Sequence, residues 1–344
     1  MVRRTLLHAG AVVTVGTISQ GTAHAGAGPY GPLLPADADG LALPQGFSGR
    51  IVARSGRKVA GLTWHAAPDG GACFPDGSGW IYVSNAEVPL LGGAAAVRFR
   101  ADGSIAAAYR ILSGTSLNRA GGATPWHTWL SCEATERGRV FECDPYGERA
   151  ARPRLGMGRF RHGAVACDPE REAVYLTEDE PDGCFYRFRP RDWGDLTEGA
   201  LEVLTGGGGW REVPHPAAPS EPTRYQVRDA LRFNRGRACH LADGVCSFTT
   251  RGDDQVWSYD GALHRHEAMH GPLFVAQDGA VEIDVITRDG AVAPFARLAG
   301  RRGAELSGPA FSPDGGRLYF SSRRRGSGVA AGQVFEVSGP FERG

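Results

Sequence analysis

The sequence predicts an all-β protein, a six-bladed β-propeller in which one blade is truncated or irregular. The first observation is its content of 50 Gly and 22 Pro in 344 residues, spread along the chain, which favours short strands joined by turns over long helices. The second is a two-strand unit that recurs six times, most often at the spacing of ~40–50 residues that is typical of propeller blades.

Each unit begins with an apolar strand that ends in small or polar residues. These first strands are predicted at Trp80–Asn85, Thr128–Glu133, Ala173–Glu178, Val245–Thr250, Leu273–Gln277 and Arg317–Ser322. A partner strand follows in each unit, at Ala96–Phe99, Val140–Cys143, Phe185–Phe188, Val256–Tyr259, Ile283–Ile286 and Val334–Val337. Asp-Gly and Pro-Asp-Gly turns next to these strands support the assignment.

The spacing of the units identifies the irregular blade. Successive first strands start 48, 45, 72, 28 and 44 residues apart, and three of these steps fit a four-stranded blade. The step of 72 contains a Gly- and Pro-rich insertion at 205–222, which we predict to be a surface loop. The step of 28 is too short for two further strands, so one blade is predicted to be incomplete. A β-sandwich is the alternative fold, but it does not explain the period.

Residues 1–25 are typical of a twin-arginine export signal, and residues 26–344 are predicted to form a single propeller domain. Arg3 and Arg4 precede a weakly apolar run, Leu6–Ile18, that ends near the small residues of Ala23–Ala25. The run is shorter than the ~20 residues that a membrane span needs, and no later stretch is longer. We therefore expect the export machinery as a partner, and a periplasmic or extracellular location.

Charge and cysteine content exclude several classes of function. The chain has 38 basic and 38 acidic residues, so it offers no field for a polyanion, and we expect no nucleic-acid partner. Without residues 1–25, two arginines are lost and 36 basic residues face 38 acidic ones. The seven cysteines form no CxxC pair, which excludes a zinc ribbon, and most lie in apolar surroundings that predict buried thiols.

Polar residues follow several of the predicted strands, where the strands would approach the mouth of a central channel. They are Asn85, Glu87, Cys132, Glu133, Glu178, Asp179, Glu180, Asp253, Asp254 and Asp278. Converging oxygen ligands would suit Ca²⁺, and the thiolate of Cys132 would add a softer ligand for iron or zinc. The alternative is a rim of solvated acidic turns.

Basic and imidazole side chains allow fewer inferences. Arg235 and Arg237 lie at a turn next to a strand and could bind an oxyanion, or they could be ordinary surface arginines. The charge run at 323–325 is predicted to face solvent. We interpret His65 and His162 as structural, because no Ser-His-Asp order or HExxH helix accompanies them.

Several motifs together resemble the PhoX family of exported bacterial alkaline phosphatases. They lie at Leu43–Phe47, His65–Gly71, Gly121–Trp126, Thr128–Glu133, Tyr175–Gly183, Arg232–Gly236 and Gly308–Gly315. The resemblance extends from about residue 30 to the C-terminus. It implies a propeller that hydrolyses small phosphomonoesters with a mixed calcium and iron cofactor.

The resemblance also implies roles for individual residues. Cys132 would bind iron, and Arg235 would be the catalytic arginine that holds the phosphate. The further metal ligands implied are Asn85, Glu133, Glu178, Asp179 and Glu305.

The chain departs from the family pattern at five carboxylate positions. Gly163 and Arg237 replace family glutamates, Ala134 and Gln277 replace two more, and the family's Val-Asp-Asn turn is missing at the short step. These departures imply an altered metal set, because a cationic side chain beside a metal cluster is repelled by it.

The sequence leaves three functions open. The first is an exported metal-dependent phosphatase, and the second is a catalytically inactive propeller that binds an anionic or phosphorylated ligand. The third is a calcium-dependent lactonase-type propeller, which the acidic rim permits without a specific motif.

Overall fold

The structure is a computed structural model that describes residues 11–15, 28–253, 255–266, 273–277, 281–287, 291–301, 303–324 and 331–341. Asp254 and Asp278, two of the acidic residues predicted at the channel, lie outside the described residues, and so does most of the predicted export signal.

The described residues contain 28 strands and two short 3₁₀ helices, at Leu155–Met157 and Thr223–Tyr225. The first fourteen strands are β1 (Ala11–Val15), β2 (Leu41–Ala42), β3 (Ser48–Arg54), β4 (Lys58–Val59), β5 (Leu62–Thr63), β6 (Pro68–Asp76), β7 (Gly79–Ala86), β8 (Gly92–Phe99), β9 (Ile105–Thr115), β10 (Asn118–Ala123), β11 (Trp129–Glu133), β12 (Val140–Cys143), β13 (Arg152–Pro153) and β14 (His162–Asp168). The others are β15 (Ala173–Glu178), β16 (Phe185–Asp192), β17 (Asp195–Leu204), β18 (Trp210–Glu212), β19 (Gly236–Ala242), β20 (Val245–Thr250), β21 (Gln255–Tyr259), β22 (Leu263–His266), β23 (Leu273–Gln277), β24 (Glu282–Ile286), β25 (Val292–Leu298), β26 (Ala304–Phe311), β27 (Arg317–Arg324) and β28 (Gly332–Ser338).

These strands form the six blades of a β-propeller, which confirms the predicted fold class. Blade 1 is β6–β9, blade 2 is β10–β13, blade 3 is β14–β18, and blade 4 is β19–β22. Blade 5 contains β1, β23, β24, β25 and β2, and blade 6 contains β26, β27, β28 and β3. The hairpin β4–β5 forms a separate two-stranded sheet. All twelve strands predicted from the repeat lie within these blades.

Apolar side chains on both faces of each blade explain why the blades pack face to face. Every residue of β15 is buried, because this strand lies in the middle of blade 3 with a neighbouring blade on each side. One of its faces contributes Leu176 to a cluster with Leu130 of blade 2, and the other contributes Tyr175 to a cluster with Phe248 of blade 4. Because these strands are buried on both faces, their sequences are nearly continuous apolar runs.

The ring is closed by N-terminal strands that complete C-terminal blades. β3 pairs antiparallel with β28, with Phe335 opposite Ile51, and so supplies the outer strand of blade 6. β2 pairs with β25 in the same way and supplies the outer strand of blade 5. The two ends of the described propeller are thus held together by backbone hydrogen bonds between distant parts of the chain.

Blade 5 is the irregular blade that the short spacing predicted. In the other blades the inner strand comes from the same unit and pairs antiparallel with the next strand, as β6 does with β7. In blade 5 the inner position is taken by β1, which pairs parallel with β23 and also contacts β19 and β26 of the flanking blades. Part of the predicted export signal therefore lies inside the propeller in this structure.

The insertion after β17 differs in one respect from the predicted surface loop. Trp210–Glu212 pairs with Glu202–Leu204 and forms a fifth strand at the outer edge of blade 3. Trp210 itself packs edge-on against Tyr259 of blade 4, which fixes this part of the insertion to the propeller. No helix among the described residues is long and apolar enough to cross a membrane.

Candidate functional site at the channel mouth

The starts of the inner strands and the ends of the second strands meet at one end of the central channel, which we call the mouth. Antiparallel pairing causes this, because it sets Pro68 opposite Ala86 and His162 opposite Glu178. Five inner strands, β6, β10, β14, β19 and β26, line a cavity of about 100 Å³ there. The charged residues that line it are Asp69, Arg119, Arg237, Glu305 and Arg323.

Asp179, just beyond the end of β15, is surrounded by three arginines. Its Oδ2 lies 2.8 Å from Nη1 of Arg119 and 3.2 Å from Nη1 of Arg237, and its Oδ1 lies 3.7 Å from Nη1 of Arg235. The Asp179 side chain is only 4% exposed, whereas that of Arg235 is 38% exposed. We call these four residues the Asp179 cluster. Arg235 is its outermost member and faces the solvent.

Positive charge is crowded in this cluster. The pKa of Arg237 is lowered, first by burial of its guanidinium group and then by the neighbouring charge of Arg119, although Asp179 acts in the opposite direction. A guanidinium group with a lowered pKa is one whose charge the surroundings do not fully compensate. Because burial is the main cause of this shift, the crowding of positive charge is read from the geometry, in which three guanidinium groups lie within 4 Å of one carboxylate.

Arg323 forms the second charged group at the mouth. Its Nη2 lies 3.2 Å from Oδ2 of Asp69 and 2.9 Å from Oε2 of Glu305, and its Nη1 forms an ion pair with Glu87. The Arg323 side chain is 10% exposed, so the prediction that the charge run at 323–325 faces solvent is wrong for this residue. Residue 323 lies within β27, and its side chain is directed to the mouth rather than outward.

Glu87 joins the two charged groups. Its Oε1 accepts a hydrogen bond of 2.6 Å from Nε of Arg119, while its Oε2 faces Arg323. Arg119 in turn binds Asp179. The mouth is thus a continuous network in which arginines alternate with carboxylates.

Two of the metal ligands implied by the family resemblance lie in the protein core. Cys132 is fully buried in the apolar cluster between blades 2 and 3, and burial raises the pKa of its thiol far above the usual value. Glu178 is fully buried too, and it accepts hydrogen bonds from the Tyr186 hydroxyl (2.9 Å) and Arg224 (3.0 Å). Burial raises the pKa of Glu178 to about 7, and Arg224 only partly opposes it.

Two further implied ligands, Glu133 and Asn85, are held by hydrogen bonds to residues of blades 1 and 2. Glu133 accepts hydrogen bonds from the backbone N–H of Ser116 (3.0 Å) and of Arg139 (3.1 Å). The side-chain oxygen of Asn85 accepts from Trp129 Nε1 (2.9 Å) and Ser131 Oγ (2.8 Å). Only Asp179 and Glu305 of the six implied ligands take part in the network at the mouth.

The donor set does not fit a calcium and iron centre. No group of three or more His, Cys, Asp or Glu side chains suited to a metal ion occurs among the described residues. The carboxylates at the mouth are instead bound by guanidinium groups, and hard cations such as Ca²⁺ require those same oxygens.

The backbone at Gly163, where the family has a glutamate, explains part of this difference. A Cβ atom added at Gly163 would lie 2.3 Å from the carbonyl oxygen of Gly236 and 2.6 Å from Oγ1 of Thr177. Strands β14 and β19 therefore approach too closely for any side chain here. Position 163 therefore has no space for the glutamate that the resemblance implies.

His65 and His162, which the sequence places next to strands, pack against aromatic rings. His65 stacks on Trp64 with 4.5 Å between the ring centres, and His162 lies 3.9 Å from the ring of Phe160. Burial lowers the pKa of both imidazoles to about 3, so both are neutral near pH 7. Their burial among aromatic rings is consistent with the structural role that the sequence indicated.

Sequence reasoning missed three residues of the network: Asp69, Arg119 and Arg323. Asp69 lies within the motif His65–Gly71, and Arg119 lies two residues before the motif Gly121–Trp126. Both residues are therefore in or beside motifs of the PhoX resemblance. Arg323 lies one residue beyond Arg317–Ser322, at the strand end where the other blades carry polar residues. The position relative to the strand end was the signal that could have identified it.

A family model for alkaline phosphatase PhoX matches residues 81–139 and 133–209 of the chain, which lie in blades 1 to 3. No curated protein matches the chain. Among solved structures, a structural genomics protein of unknown function from Bacteroides thetaiotaomicron is 10% identical, with a TM-score of 0.52 over 85% of this chain and 76% of that one. A gluconolactonase from Xanthomonas campestris is 14% identical, with a TM-score of 0.49 over 91% of this chain and 99% of that one.

The Bacteroides structure supports the fold alone, because its sequence identity to this chain is low. The family match adds a relationship in sequence over the part of the chain that contains Asp179 and Arg119. The chain is a β-propeller, and its sequence is consistent with a divergent member of the PhoX family.

Proposed function

We propose that this protein is an exported, phosphatase-like propeller that binds a phosphorylated or other small anionic ligand at the mouth of its channel. The observation that carries the proposal is the Asp179 cluster, in which three guanidinium groups surround one carboxylate. Even when Arg119 is assigned to Glu87, Arg235 and Arg237 together outnumber the single charge of Asp179. An oxyanion would balance this excess.

Arg235 is the residue that we expect to contact the ligand first. It has the longest of the three ion pairs and the most exposed side chain. The guanidinium fork matches two oxygens of a phosphate group, which a lysine cannot do. Arg237 and Arg119, deeper in the mouth, would add charge without being displaced from Asp179.

Metal-dependent hydrolysis of a phosphomonoester is the second candidate, and the match to the PhoX model favours it. In that case Arg235 would hold the phosphate in the reaction, and the calcium and iron ligands would be those that the resemblance implies. The bound arginines at the mouth and the closed space at Gly163 argue for the first candidate.

Export is part of the proposal because of Arg3 and Arg4 and the short apolar run after them. A reporter that is active only outside the cytoplasm, fused after residue 25, tests it. Activity that is lost when both arginines become lysines is the expected result. Activity that persists in this variant, or a reporter that stays inactive, would contradict twin-arginine export.

Calorimetric titration of the purified protein with inorganic phosphate and with a phosphomonoester tests the binding site. We expect binding without added metal, and a loss of at least tenfold in affinity in Arg235→Ala, which is ~1.4 kcal/mol. Arg211→Ala is the matched control, because Arg211 pairs with Asp229 on the surface and its side chain is 64% exposed. It should bind phosphate like the unchanged protein.

Two results would overturn the proposal. Hydrolysis of the phosphomonoester that a chelator abolishes would establish the second candidate instead. No heat of binding, in a protein whose folding is verified by its thermal transition, would exclude the anion site.

A further inference from the structure

Arg323 is surrounded by three carboxylates at the mouth. Asp69 lies in β6 and Glu87 follows β7, both in blade 1, whereas Glu305 lies in β26 of blade 6. Their side chains are 5%, 6% and 12% exposed, and Arg323 binds all three. We call these three acidic residues the Arg323 carboxylates.

Three carboxylates in one buried place repel each other unless a cation lies between them. Arg119, which also binds Glu87, compensates one of the three charges. Without Arg323 the group would carry two uncompensated negative charges. That is the charge of one divalent cation.

Two oxygens in the group still have capacity for a further bond. Asp69 Oδ2 and Glu87 Oε2 are buried, and each is ion-paired with Arg323 but accepts no well-directed hydrogen bond from the described residues. Both belong to side chains that are more than nine-tenths buried and that adjoin Arg323. Buried oxygens with an incomplete set of hydrogen bonds are the type of group that a cation would bind.

We infer that Arg323 replaces a divalent cation at the mouth, and that its removal converts the Arg323 carboxylates into a Ca²⁺ site. The guanidinium group gives a fixed positive charge that needs no metal from the surroundings. Deletion of its side chain leaves space next to the cavity for an ion and its water ligands. Three carboxylates can supply three to six of the six to eight oxygens that Ca²⁺ takes. The inference concerns the other charged group of the mouth, and its test measures calcium rather than phosphate, so it can fail while the proposed anion binding holds.

Thermal unfolding of Arg323→Ala with and without Ca²⁺ tests the inference, with calcium per chain measured after desalting. We expect the variant to have a lower Tm without Ca²⁺ than the unchanged protein. Addition of Ca²⁺ should raise its Tm by several degrees, because a ligand that binds only the folded state stabilises it. The unchanged protein should show no Ca²⁺-dependent shift.

Three further variants distinguish the site from a general effect of calcium. Arg323→Ala combined with Glu305→Gln should lose most of the response, because one ligand is removed. Arg323→Lys should fold and stay insensitive, since it keeps the positive charge. Arg317→Ala, on the same strand, removes a guanidinium group that pairs with the single carboxylate of Glu336 and should not create a response.

An Arg323→Ala protein that is folded and does not respond to Ca²⁺ would overturn the inference. So would one equivalent of calcium in the unchanged protein that Glu305→Gln removes. If Arg323→Ala folds only when Ca²⁺ is present during expression or refolding, the inference is supported in its strongest form.

Discussion

Single residues at the mouth decide which chemistry this propeller can perform. Arg237 stands where the family has a glutamate, and Arg323 lies among carboxylates that would otherwise need a cation. We propose that each of these arginines takes the place of a metal ligand or of a metal. A guanidinium group is charged at every physiological pH, and it binds oxyanions as readily as carboxylates.

Loss of the Asp179 charge is expected to destabilise the protein and to strengthen anion binding. Asp179→Asn leaves Arg119 and Arg237 without their shared carboxylate, and breaking a buried ion pair costs about 3–5 kcal/mol. Urea unfolding with and without phosphate measures both effects. Asp182→Asn, whose side chain is 43% exposed, is the control. Weaker phosphate binding in Asp179→Asn would contradict an excess of positive charge in the cluster.

Asp284 in β24 is expected to make the stability of the protein depend on pH. Burial, assisted by the charge of Glu282, raises the pKa of Asp284 to about 6 from the ordinary 3.8. The folded state therefore binds a proton that the unfolded chain has already released. The stability that this proton gives is present below pH ~4 and is lost as the pH rises through ~6, by at most ~3 kcal/mol.

Comparison of Asp284→Asn with the unchanged protein isolates this contribution. The free energy of unfolding should fall less between pH 4 and pH 7 in the variant, measured by urea titration at each pH. Parallel curves for the two proteins would show that Asp284 is not protonated in the folded state.

Individual elements explain how much of the fold could be predicted from the sequence. The strands at Ala173–Glu178 and Val245–Thr250 have the predicted limits, because buried apolar runs between turn signals leave little choice of boundary. Trp210–Glu212 was missed, because a three-residue strand at a blade edge follows no period. Ala11–Val15 was missed because an apolar run near two arginines has the same composition in an export signal and in a strand.

The candidate site was predictable only in part, for a geometric reason. Polar residues at strand ends were expected at the mouth, and Asp179 and Glu305 are there. Cys132 and Glu178 are not, because neighbouring residues of a strand point to opposite faces of the sheet, and a channel lies at the edge of a blade rather than at a face. Which guanidinium group binds which carboxylate depends on distances between blades, and a single sequence does not contain them.

The close approach of β14 and β19 predicts that the family residue at position 163 cannot be restored. Gly163→Glu would place its Cβ atom against the backbone of Gly236, and it should cost at least ~1–3 kcal/mol from overpacking. Gly207→Glu is the control, because nothing lies within 4 Å of a Cβ atom there. Thermal unfolding of the two variants measures the difference. Equal stability would mean that the strands separate easily and that the mouth is open to a larger ligand.

Blade 5 predicts an effect of the N-terminal segment on stability. Deletion of residues 1–27 removes β1 and leaves one edge of β23 without its partner strand. We expect a lower Tm and faster amide hydrogen exchange at Leu273–Gln277 than in a chain that lacks residues 1–10 only. The comparison concerns the chain with its N-terminal segment still attached, and the same Tm for both truncated chains would mean that β1 contributes nothing to the folded propeller.

The six blades of the propeller hold charged side chains from five of them around one channel. The fold is the propeller that the PhoX resemblance implied, and its mouth contains a network of arginines and carboxylates. We expect this network to make the protein independent of metal, although a model for alkaline phosphatase PhoX matches residues 81–139 and 133–209 of the chain.

Elemental analysis of the full chain tests whether the protein is independent of metal. The chain is expressed with iron and calcium in the medium and purified without chelators. We expect iron and calcium far below one equivalent per chain in a protein that is folded and binds phosphate. Near-stoichiometric iron and calcium, with Tm and phosphate binding that both fall when the metals are removed, would contradict it.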